Sequence, residues 1–170
     1  MIVELELPME LHSRRGPVLL RRAVPSDLDP IMALLSDDPV SSGRGDVSAE
    51  SDRPRYGAAL QRTLAAEGND LLVVESGGRV IGTMQLTVIP GMARRGSTRL
   101  MVEAVRVSST ERSGGIGGAM MTWVAEMAAP AVGASLVQLT SDAARVDAHR
   151  FYTRLGFVDS HVGFKRALPR

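Results

Sequence analysis

The residues best suited to chemistry are four glycines that lie within five consecutive positions, from Gly114 to Gly118. Glycine has no Cβ, so successive backbone N–H groups can point at one anion without obstruction. The glycines follow an apolar run and precede a helical pattern, and the N-terminus of a helix adds partial positive charge. Arg112 precedes them and no acidic residue lies among them. The segment therefore predicts an anion site, although a plain strand-to-helix turn could use glycines in the same way.

Two common nucleotide-binding motifs do not fit this loop. A P-loop ends in Gly-Lys-Ser or Gly-Lys-Thr, whereas this chain continues Gly117-Gly118-Ala119. The dinucleotide fingerprint G-x-G-x-x-G would begin at Gly115, but Met120 stands at its last glycine. The anion must therefore belong to another kind of carrier.

A carboxylate and a phenol are the candidates for proton transfer. Glu103 lies in the run LMVEAVRV, where strand alternation predicts that it shares a face with Val105 and Val107. A carboxylate in apolar company is costly, so Glu103 is a general base facing a cleft, or it lies on the wetter face of the strand, or it forms a salt bridge with an arginine. Tyr152 is either a core residue beside Phe151 or a general acid, because a phenol keeps its proton at neutral pH.

Two motifs together resemble the GNAT superfamily of acyl-CoA-dependent N-acyltransferases. Arg112-Ser113-Gly114-Gly115-Ile116-Gly117 reads R-x-x-G-x-G, which resembles that superfamily's pyrophosphate-binding motif. The later run AHRFYTRLGF, residues 148–157, is similar to its helix with Phe-Tyr that leads through Gly-Phe into the next strand. The resemblance covers residues 18–168. Within the superfamily, the later run is similar to small acetyltransferases such as the aminoalkylphosphonate acetyltransferases.

The resemblance implies roles for individual residues. Glu103 would act as the general base through water, and Tyr152 would donate a proton to the departing thiolate. The backbone of Val105 and Val107 would hold the pantetheine arm of coenzyme A. The other cofactor-binding residues would be Arg112, Ser113, Gly114, Gly115, Gly117, Gly118, Arg145 and Ala148. Arg145 stands where many members carry an asparagine, so its contact would be with a phosphate instead.

The function implied by the resemblance is transfer of an acetyl group from acetyl-CoA to a primary amine. The chain has no cysteine, which favours direct attack by the amine in a ternary complex over an acyl-cysteine intermediate. Three alternatives remain open, namely a small-molecule amine, a protein lysine or N-terminal amine, and a non-catalytic acyl-CoA sensor. The first is favoured, since Asp37-Asp38 could attract an ammonium group and Arg94-Arg95 could hold an anionic group. Solvated loop charges would give the same pattern.

Composition limits the class of protein and its partners. The chain has 170 residues, 44% hydrophobic and 23% charged, as expected of one globular domain. A net charge of +1 argues against a nucleic-acid binder. There is no signal-peptide pattern and no apolar run of about 20 residues, so the expectation is a cytoplasmic protein without a membrane partner. The histidines show no ligand spacing, so no metal is expected.

The elements that must position these residues are predicted to form an α/β (α+β) fold. Its centre is a mixed, mostly antiparallel sheet of six to seven strands, flanked by about four helices. Residues 1–16 are expected to form an N-terminal arm, and residues 17–170 a single acetyltransferase domain. Residues 99–140 should be a parallel strand–helix–strand unit. Residues 157–168 should supply one or two closing strands, whose exposure favours a homodimer.

Overall fold

The computed structural model describes residues 1–43 and 45–168, and its centre is a six-stranded sheet. The strands are β1 (Met9–Ser13), β2 (Gly16–Arg22), β3 (Asn69–Ser76), β4 (Arg79–Ile89), β5 (Thr98–Val107) and β6 (Ala134–Leu139), and they lie side by side in that order. All neighbouring pairs are antiparallel except β5 and β6, which are parallel. The predicted mixed, mostly antiparallel sheet is confirmed.

Helices cover both faces of this sheet. They are α1 (Leu28–Ser36), α2 (Pro39–Ser42), α3 (Arg53–Ala65), the short turn α4 (Ala93–Gly96), α5 (Ile116–Trp123), α6 (Ala129–Ala131) and α7 (Val146–Arg154). One face, called the α5 face, packs the larger core, in which Leu72, Leu100 and Met120 are fully buried. The opposite α1 face packs a smaller cluster that includes Ile31 and Leu60.

The first 16 residues do not form a separate arm. Residues of β1 pair with β2, with Leu11 opposite Val18. Ile2 and Leu5 are 2% and 4% exposed and belong to the larger core. The chain reverses through a tight turn that ends at Gly16, whose φ of 108° suits glycine. The strand was not predicted because it is short and its apolar alternation is brief.

The predicted closing strands over residues 157–168 are absent from the described part of the chain, and β6 is the last strand of the sheet. Four apolar side chains of this segment are largely exposed, namely Val158 (80%), Val162 (80%), Phe164 (93%) and Leu168 (76%). A strand requires a neighbouring backbone for its hydrogen bonds, and none of the described strands lies alongside this segment.

The predicted apolar stripe of α5 is correct at Ile116, Met120, Trp123 and Val124, which are buried, but not at Met127, which is 56% exposed. A π-helical turn over Val124–Ala128 explains the difference. Such a turn adds one residue to the helical repeat and so rotates the later side chains about the helix axis.

Candidate active site

Residues 112–118 are named the glycine loop; they comprise the end of the connection from β5 and the first turn of α5. Ser113 and Gly115 have left-handed φ values of 65° and 83°, and Gly115 is the N-cap of α5 without a side-chain cap. The N–H groups in the first turn of a helix have no partner within the helix. The loop therefore presents donors at the positive end of α5, in a form that suits an anion.

Two of these glycines are needed for packing against the β1–β2 turn. A Cβ on Gly114 would lie 3.0 Å from Cδ of Arg15, and a Cβ on Gly115 would lie 3.1 Å from Cγ of Arg14. The N–H of Arg14 also donates to the carbonyl of Gly114 at 2.9 Å. The patterns in the sequence did not identify Arg14 and Arg15 as neighbours of the glycine loop, because their turn lies in the segment interpreted as an arm. The Arg14-Arg15-Gly16 turn before a strand is the signal that could have found them.

The other two glycines face different surroundings. A Cβ on Gly117 would meet the ring of Phe151 at 3.4 Å and Cγ2 of Val107 at 3.8 Å, so α7 reaches the glycine loop at this point. A Cβ on Gly118 would have nothing within 4 Å. The glycine loop is thus supported on one side by β1–β2 and on another by α7.

Arg112 already faces an acidic residue. Its guanidinium donates to the carbonyl of Asp37 at 2.6 Å and lies 3.9 Å from the Asp37 carboxylate. That carboxylate also accepts a hydrogen bond from the N–H of Ser109 at 2.6 Å. At the edge of the glycine loop, the Asp37 carboxylate is therefore held by an arginine and a backbone N–H, and donors of these two kinds also bind phosphate.

Glu103 lies directly before a β-bulge in β5. Gln85 of β4 pairs with Glu103 but Thr83 pairs with Arg106, so β5 has one extra residue, and Ala104 has a left-handed φ of 51°. A bulge of this kind shifts the alternation of the side chains beyond it. The prediction that Glu103 shares a face with the two valines of β5 was therefore wrong.

The two valines, Val105 and Val107, pack against the larger core on the α5 face, as Leu100 and Val102 do. Glu103 lies on the α1 face, where it is exposed and makes no ion pair with any described residue. The alternative in which an arginine neutralises Glu103 is not found in the described part of the chain.

Other polar side chains lie on this face of the sheet, among them Gln85, the β4 residue opposite Glu103. Asn69 accepts hydrogen bonds from Thr87 at 2.7 Å and from Gln85 at 3.4 Å. Tyr56 of α3 donates to the carboxylate of Asp46 at 2.5 Å, and this bond raises the pKa of Tyr56 to about 12. The α1 face thus offers a polar surface beside the bulge, next to α3 and the segment that precedes it.

Arg106 lies on the same side of β5 as Glu103; the sequence patterns indicated a possible basic strip of arginines that includes it, but not this position. It donates to the carbonyl of Val105 at 2.8 Å and to the hydroxyl of Ser41 at 2.6 Å, while its Nε is buried without a partner among the described residues. Burial, assisted by the charge of Arg145, lowers the pKa of Arg106. Simple alternation along β5 places Arg106 on the face opposite to Glu103, because it takes no account of the bulge.

Tyr152 lies on α7, in edge-to-face contact with Phe151 at 5.1 Å and Phe157 at 5.8 Å between ring centroids. Burial raises the pKa of Tyr152, and the charges of Arg106 and Arg145 act in the opposite direction. Its hydroxyl makes no hydrogen bond with any described residue. The phenol therefore keeps its proton at neutral pH, and the proton is free to be donated.

Arg145, the N-cap of α7, is tied to the segment before α2. Its guanidinium lies 2.5 Å from the carboxylate of Asp38 and 3.1 Å from the hydroxyl of Ser41. Burial would raise the pKa of Asp38, but the N–H of Ser41 and the charges of Arg145 and Arg106 lower it overall. Ala148 is half-buried near the start of the same helix.

The fold brings the cationic candidates together. Residues 37–41 contact Arg106, Arg112 and Arg145 at once. The two proton-transfer candidates lie on different elements, Glu103 on β5 and Tyr152 on α7, and no hydrogen bond or ion pair joins them in the described chain.

Of the two charged loops that were considered for substrate binding, the acidic one differs from expectation. Asp37 and Asp38 are engaged with arginines or N–H groups, so they are not free to attract an ammonium group. Arg94 and Arg95 are exposed, with left-handed φ values of 53° and 63°.

Over residues 1–43 and 45–168, no cluster of His, Cys, Asp and Glu could hold a metal ion. No helix in that part of the chain combines the length and the apolar character of a membrane span.

This fold and this loop are those of an acetyltransferase. Residues 29–157 match the Acetyltransferase (GNAT) family, and the chain belongs to it. Members of the family use acetyl-CoA as co-substrate, so the chain is an acetyl-CoA-dependent N-acetyltransferase.

Individual relatives are similar over different lengths. An aminoalkylphosphonate N-acetyltransferase of Salmonella typhimurium is 45% identical over 53 residues, which is 31% of this chain and only 34% of that protein. A crystal structure described as a transcriptional regulator from Bacillus halodurans C-125 is 34% identical, with a TM-score of 0.83 over 89% of this chain and 99% of that one. A putative acetyltransferase from Agrobacterium tumefaciens has the same fold at 23% identity, with a TM-score of 0.73 over 88% of this chain and 99% of that one.

Proposed function

We propose that this enzyme transfers the acetyl group of acetyl-CoA to the primary amine of a small molecule, by direct attack in a ternary complex. The observation that carries the proposal is the arrangement of β5. Glu103 stands on its polar face without a partner among the described residues, the bulge at Ala104 comes next, and residues 108–111 connect the strand to the glycine loop.

The glycine loop and the open edge of β5 fit coenzyme A. N–H groups at the start of α5 would bind the diphosphate together with Arg112, whose guanidinium already lies close to an anionic group, the Asp37 carboxylate. The pairing of β5 with β6 ends at Val102, so the later part of β5 has an open edge among the described strands, and the backbone of Val105 and Val107 would hold the pantetheine arm there. The loop residues in this role are Arg112, Ser113, Gly114, Gly115, Gly117 and Gly118.

The start of α7 would complete the cofactor site. Arg145 and Ala148 would line the pantetheine arm. The guanidinium of Arg145 is committed to Asp38 and Ser41, so its contact with the cofactor would be made by the methylene stem of the side chain.

Acetyl-CoA supplies the thioester carbonyl and the thiolate leaving group. Glu103 would remove a proton from the attacking ammonium, directly or through a water molecule, because amines have a pKa near about 10 and are protonated at neutral pH. The N–H of Val107 would steady the oxyanion that forms on the thioester carbonyl.

Tyr152 would protonate the departing thiolate. Its pKa is raised by burial, so it carries its proton at neutral pH, and its hydroxyl has no partner among the described residues that would compete for that proton. Arg106 and Arg145 place positive charge nearby, which would stabilise the negative charge on either oxygen or sulfur during transfer.

A small acceptor is supported by the surface around Glu103. Asn69, Gln85 and Thr87 offer amide and hydroxyl groups suited to a compact polar molecule. The partial relative from Salmonella typhimurium is named for an aminoalkylphosphonate substrate, which supports an amine that also carries an anionic group. A protein amine is the alternative acceptor, and a non-catalytic sensor would fit the Bacillus halodurans relative described as a transcriptional regulator.

Release of free coenzyme A tests the proposal. The chain has no cysteine, so a thiol-reactive dye reports only the thiol set free from acetyl-CoA. The acceptors should include aminophosphonates, amino acids, aminoglycosides, polyamines and lysine peptides. Amine-dependent release with small acceptors is expected. Release with peptides alone would replace the small acceptor by a protein amine, and binding of acetyl-CoA without release would support the sensor.

A further inference from the structure

We propose that Arg106 binds an anionic group of the acceptor, so that the acceptor is a short zwitterion whose amine faces Glu103 and whose carboxylate or phosphonate faces Arg106. The assignment rests on the proposed function, because it specifies the acceptor of the same acetyl transfer. Two observations carry it, namely the spacing of opposite charges on one face of β5 and the donors of Arg106 that have no acceptor.

Glu103 and Arg106 lie two steps apart on the same face of β5. Their partners in β4 are Gln85 and Thr83, which are themselves two residues apart and so share a face of that strand. The bulge at Ala104 takes up the extra residue of β5. Two steps along a strand span roughly 7 Å. The strand therefore offers a carboxylate and a guanidinium side by side, which suits a molecule whose ammonium and anion are a few bonds apart.

The guanidinium of Arg106 has donors without acceptors. Such a group carries five N–H donors, and the acceptors given to Arg106 by the described residues are two, the carbonyl of Val105 and the hydroxyl of Ser41. Its Nε is buried and has no acceptor there. Arg106 as a whole is half-buried, so its side chain is not closed off from a ligand. An anion that accepts from these donors would remove the cost of leaving them unpaired.

The charge of Arg106 also lacks a counterion in contact with it. Arg145 pairs with Asp38, and Arg112 lies near Asp37, whereas no carboxylate of the described residues lies within ion-pair distance of Arg106. Burial and the like charge of Arg145 lower the pKa of Arg106, and Asp38 only partly opposes them. A bound anion would supply the missing negative charge.

A second arginine of β5, Arg99, is too far from Glu103 for the same role. It precedes Glu103 by four residues, which corresponds to roughly 13 Å along a strand. Its guanidinium donates to the amide oxygen of Gln138 at 3.1 Å. A short acceptor cannot span this distance, so Arg99→Gln is the matched control for Arg106→Gln.

Matched acceptors test the assignment by steady-state kinetics. In β-alanine and 2-aminoethylphosphonate the anion follows two carbons after the amine, and 3-aminopropan-1-ol has a similar length without the charge. In the natural chain we expect kcat/KM to be at least about tenfold higher for the two anionic acceptors, the gain expected for one charge-assisted hydrogen bond. In Arg106→Gln this preference should disappear through a higher KM for the anionic acceptors, while the KM values of the alcohol and of acetyl-CoA stay unchanged. Arg99→Gln should keep the full preference.

The preference for an anionic acceptor is the deciding quantity, because a loss of kcat that is equal for all acceptors leaves it unchanged. Thermal unfolding shows whether Arg106→Gln is folded. If it is not, Arg106→Lys takes its place, and this variant should reduce the preference because it keeps the charge but loses the planar fork.

Three results would overturn the assignment: no preference in the natural chain, a preference that persists in the Arg106 variant, or a preference that is lost in Arg99→Gln. In each of these cases, turnover of the uncharged acceptor would still support the proposed acetyl transfer. Absence of turnover with every small amine would contradict the proposed function and, with it, the role of Arg106.

Discussion

The guanidinium of Arg145 lies 2.5 Å from the carboxylate of Asp38, and the two side chains are only 17% and 16% exposed. Arg145 caps the helix that carries Tyr152, whereas Asp38 lies in the segment between α1 and α2. This ion pair therefore ties one wall of the candidate site to the helix of the proposed general acid. Ser41 strengthens the tie, because its hydroxyl accepts hydrogen bonds from both Arg145 and Arg106.

Loss of this ion pair should lower the stability of the fold and weaken binding of the amine. Asp38→Asn leaves two half-buried arginines without their anion, and we expect a loss of about 2 kcal/mol in the free energy of unfolding together with a higher KM for the amine. Urea unfolding and steady-state kinetics measure the two effects. Asp147→Asn, on the same helix but with a side chain that is 98% exposed, is the control and should change neither. Equal behaviour of the two variants would contradict a tie through Asp38.

Removal of the Tyr152 hydroxyl should slow the chemical step. Tyr152→Phe keeps the ring that packs between Phe151 and Phe157 but cannot protonate the thiolate, so kcat should fall at least about tenfold while acetyl-CoA still binds. Thiol release gives kcat, and the thermal shift produced by acetyl-CoA reports binding. Unchanged turnover would remove Tyr152 from the mechanism.

The charge of Glu103 should determine the pH at which the enzyme is most active. In Glu103→Gln the amine must arrive already deprotonated, so the activity should reach its optimum at higher pH than in the natural enzyme. The pH profile of kcat/KM measures this shift. Glu126→Gln changes an exposed carboxylate in the π-helical turn and should leave the profile in place. A Glu103→Gln profile that superimposes on the natural one would assign the base to another group.

Arg112 should contribute charge to cofactor binding. Arg112→Gln is expected to weaken acetyl-CoA binding about tenfold, the loss expected for one charge-assisted hydrogen bond, and to reduce its dependence on salt. Calorimetry at two salt concentrations measures both effects. Arg154→Gln, at the far end of α7, is the matched control. Gly115 is less suitable as a target, because any side chain there meets Arg14 and an unfavourable φ whether or not the cofactor binds.

Asp27 should be a determinant of stability in acid. Its buried carboxylate accepts hydrogen bonds from Arg21 at 2.8 and 3.0 Å and from the N–H of Val24 at 2.8 Å. Burial alone would raise the pKa of Asp27, but these bonds outweigh it and lower the pKa. Because the pKa is lower in the folded state, this stabilisation is present above the unfolded value of about 3.9 and is lost as pH falls through the folded pKa.

Asp27→Asn should therefore reduce the free energy of unfolding by about 3 kcal/mol near neutral pH, with a smaller difference in acid. Urea unfolding across this pH range provides the measurement. Asp29→Asn also loses a bond to an arginine, Arg53, but its carboxylate is 66% exposed, so it should have little effect at any pH. A constant difference between Asp27→Asn and the natural chain down to low pH would contradict the assignment.

The order of the main strands and helices from β2 to α7 could be predicted from the sequence, because apolar periodicity and turn residues mark them locally, but the short helices α2, α4 and α6 could not. The bulge at Ala104 could not, since it depends on pairing with Thr83 and Gln85 of another strand. For the same reason the alternation of β5 gave the wrong face for Val105 and Val107. The predicted closing strands failed for a related cause, because an extended segment becomes a strand only when another backbone lies beside it.

The candidate site was predictable where a motif is continuous in sequence, as in the glycine loop. It was not predictable where distant segments meet. Asp38, Ser41 and Arg106 come from separate parts of the chain, and only the fold brings them to Arg145. The same holds for the β1–β2 turn, whose Arg14 packs on Gly115.

The proposed site can be seen directly in a crystal structure of the enzyme with acetyl-CoA. We predict that the diphosphate lies on the N–H groups of the glycine loop, with the sulfur within hydrogen-bonding reach of the Tyr152 hydroxyl and the acetyl group on the side of β5 that carries Glu103. A glycine loop without the diphosphate, or a sulfur remote from both side chains, would contradict it.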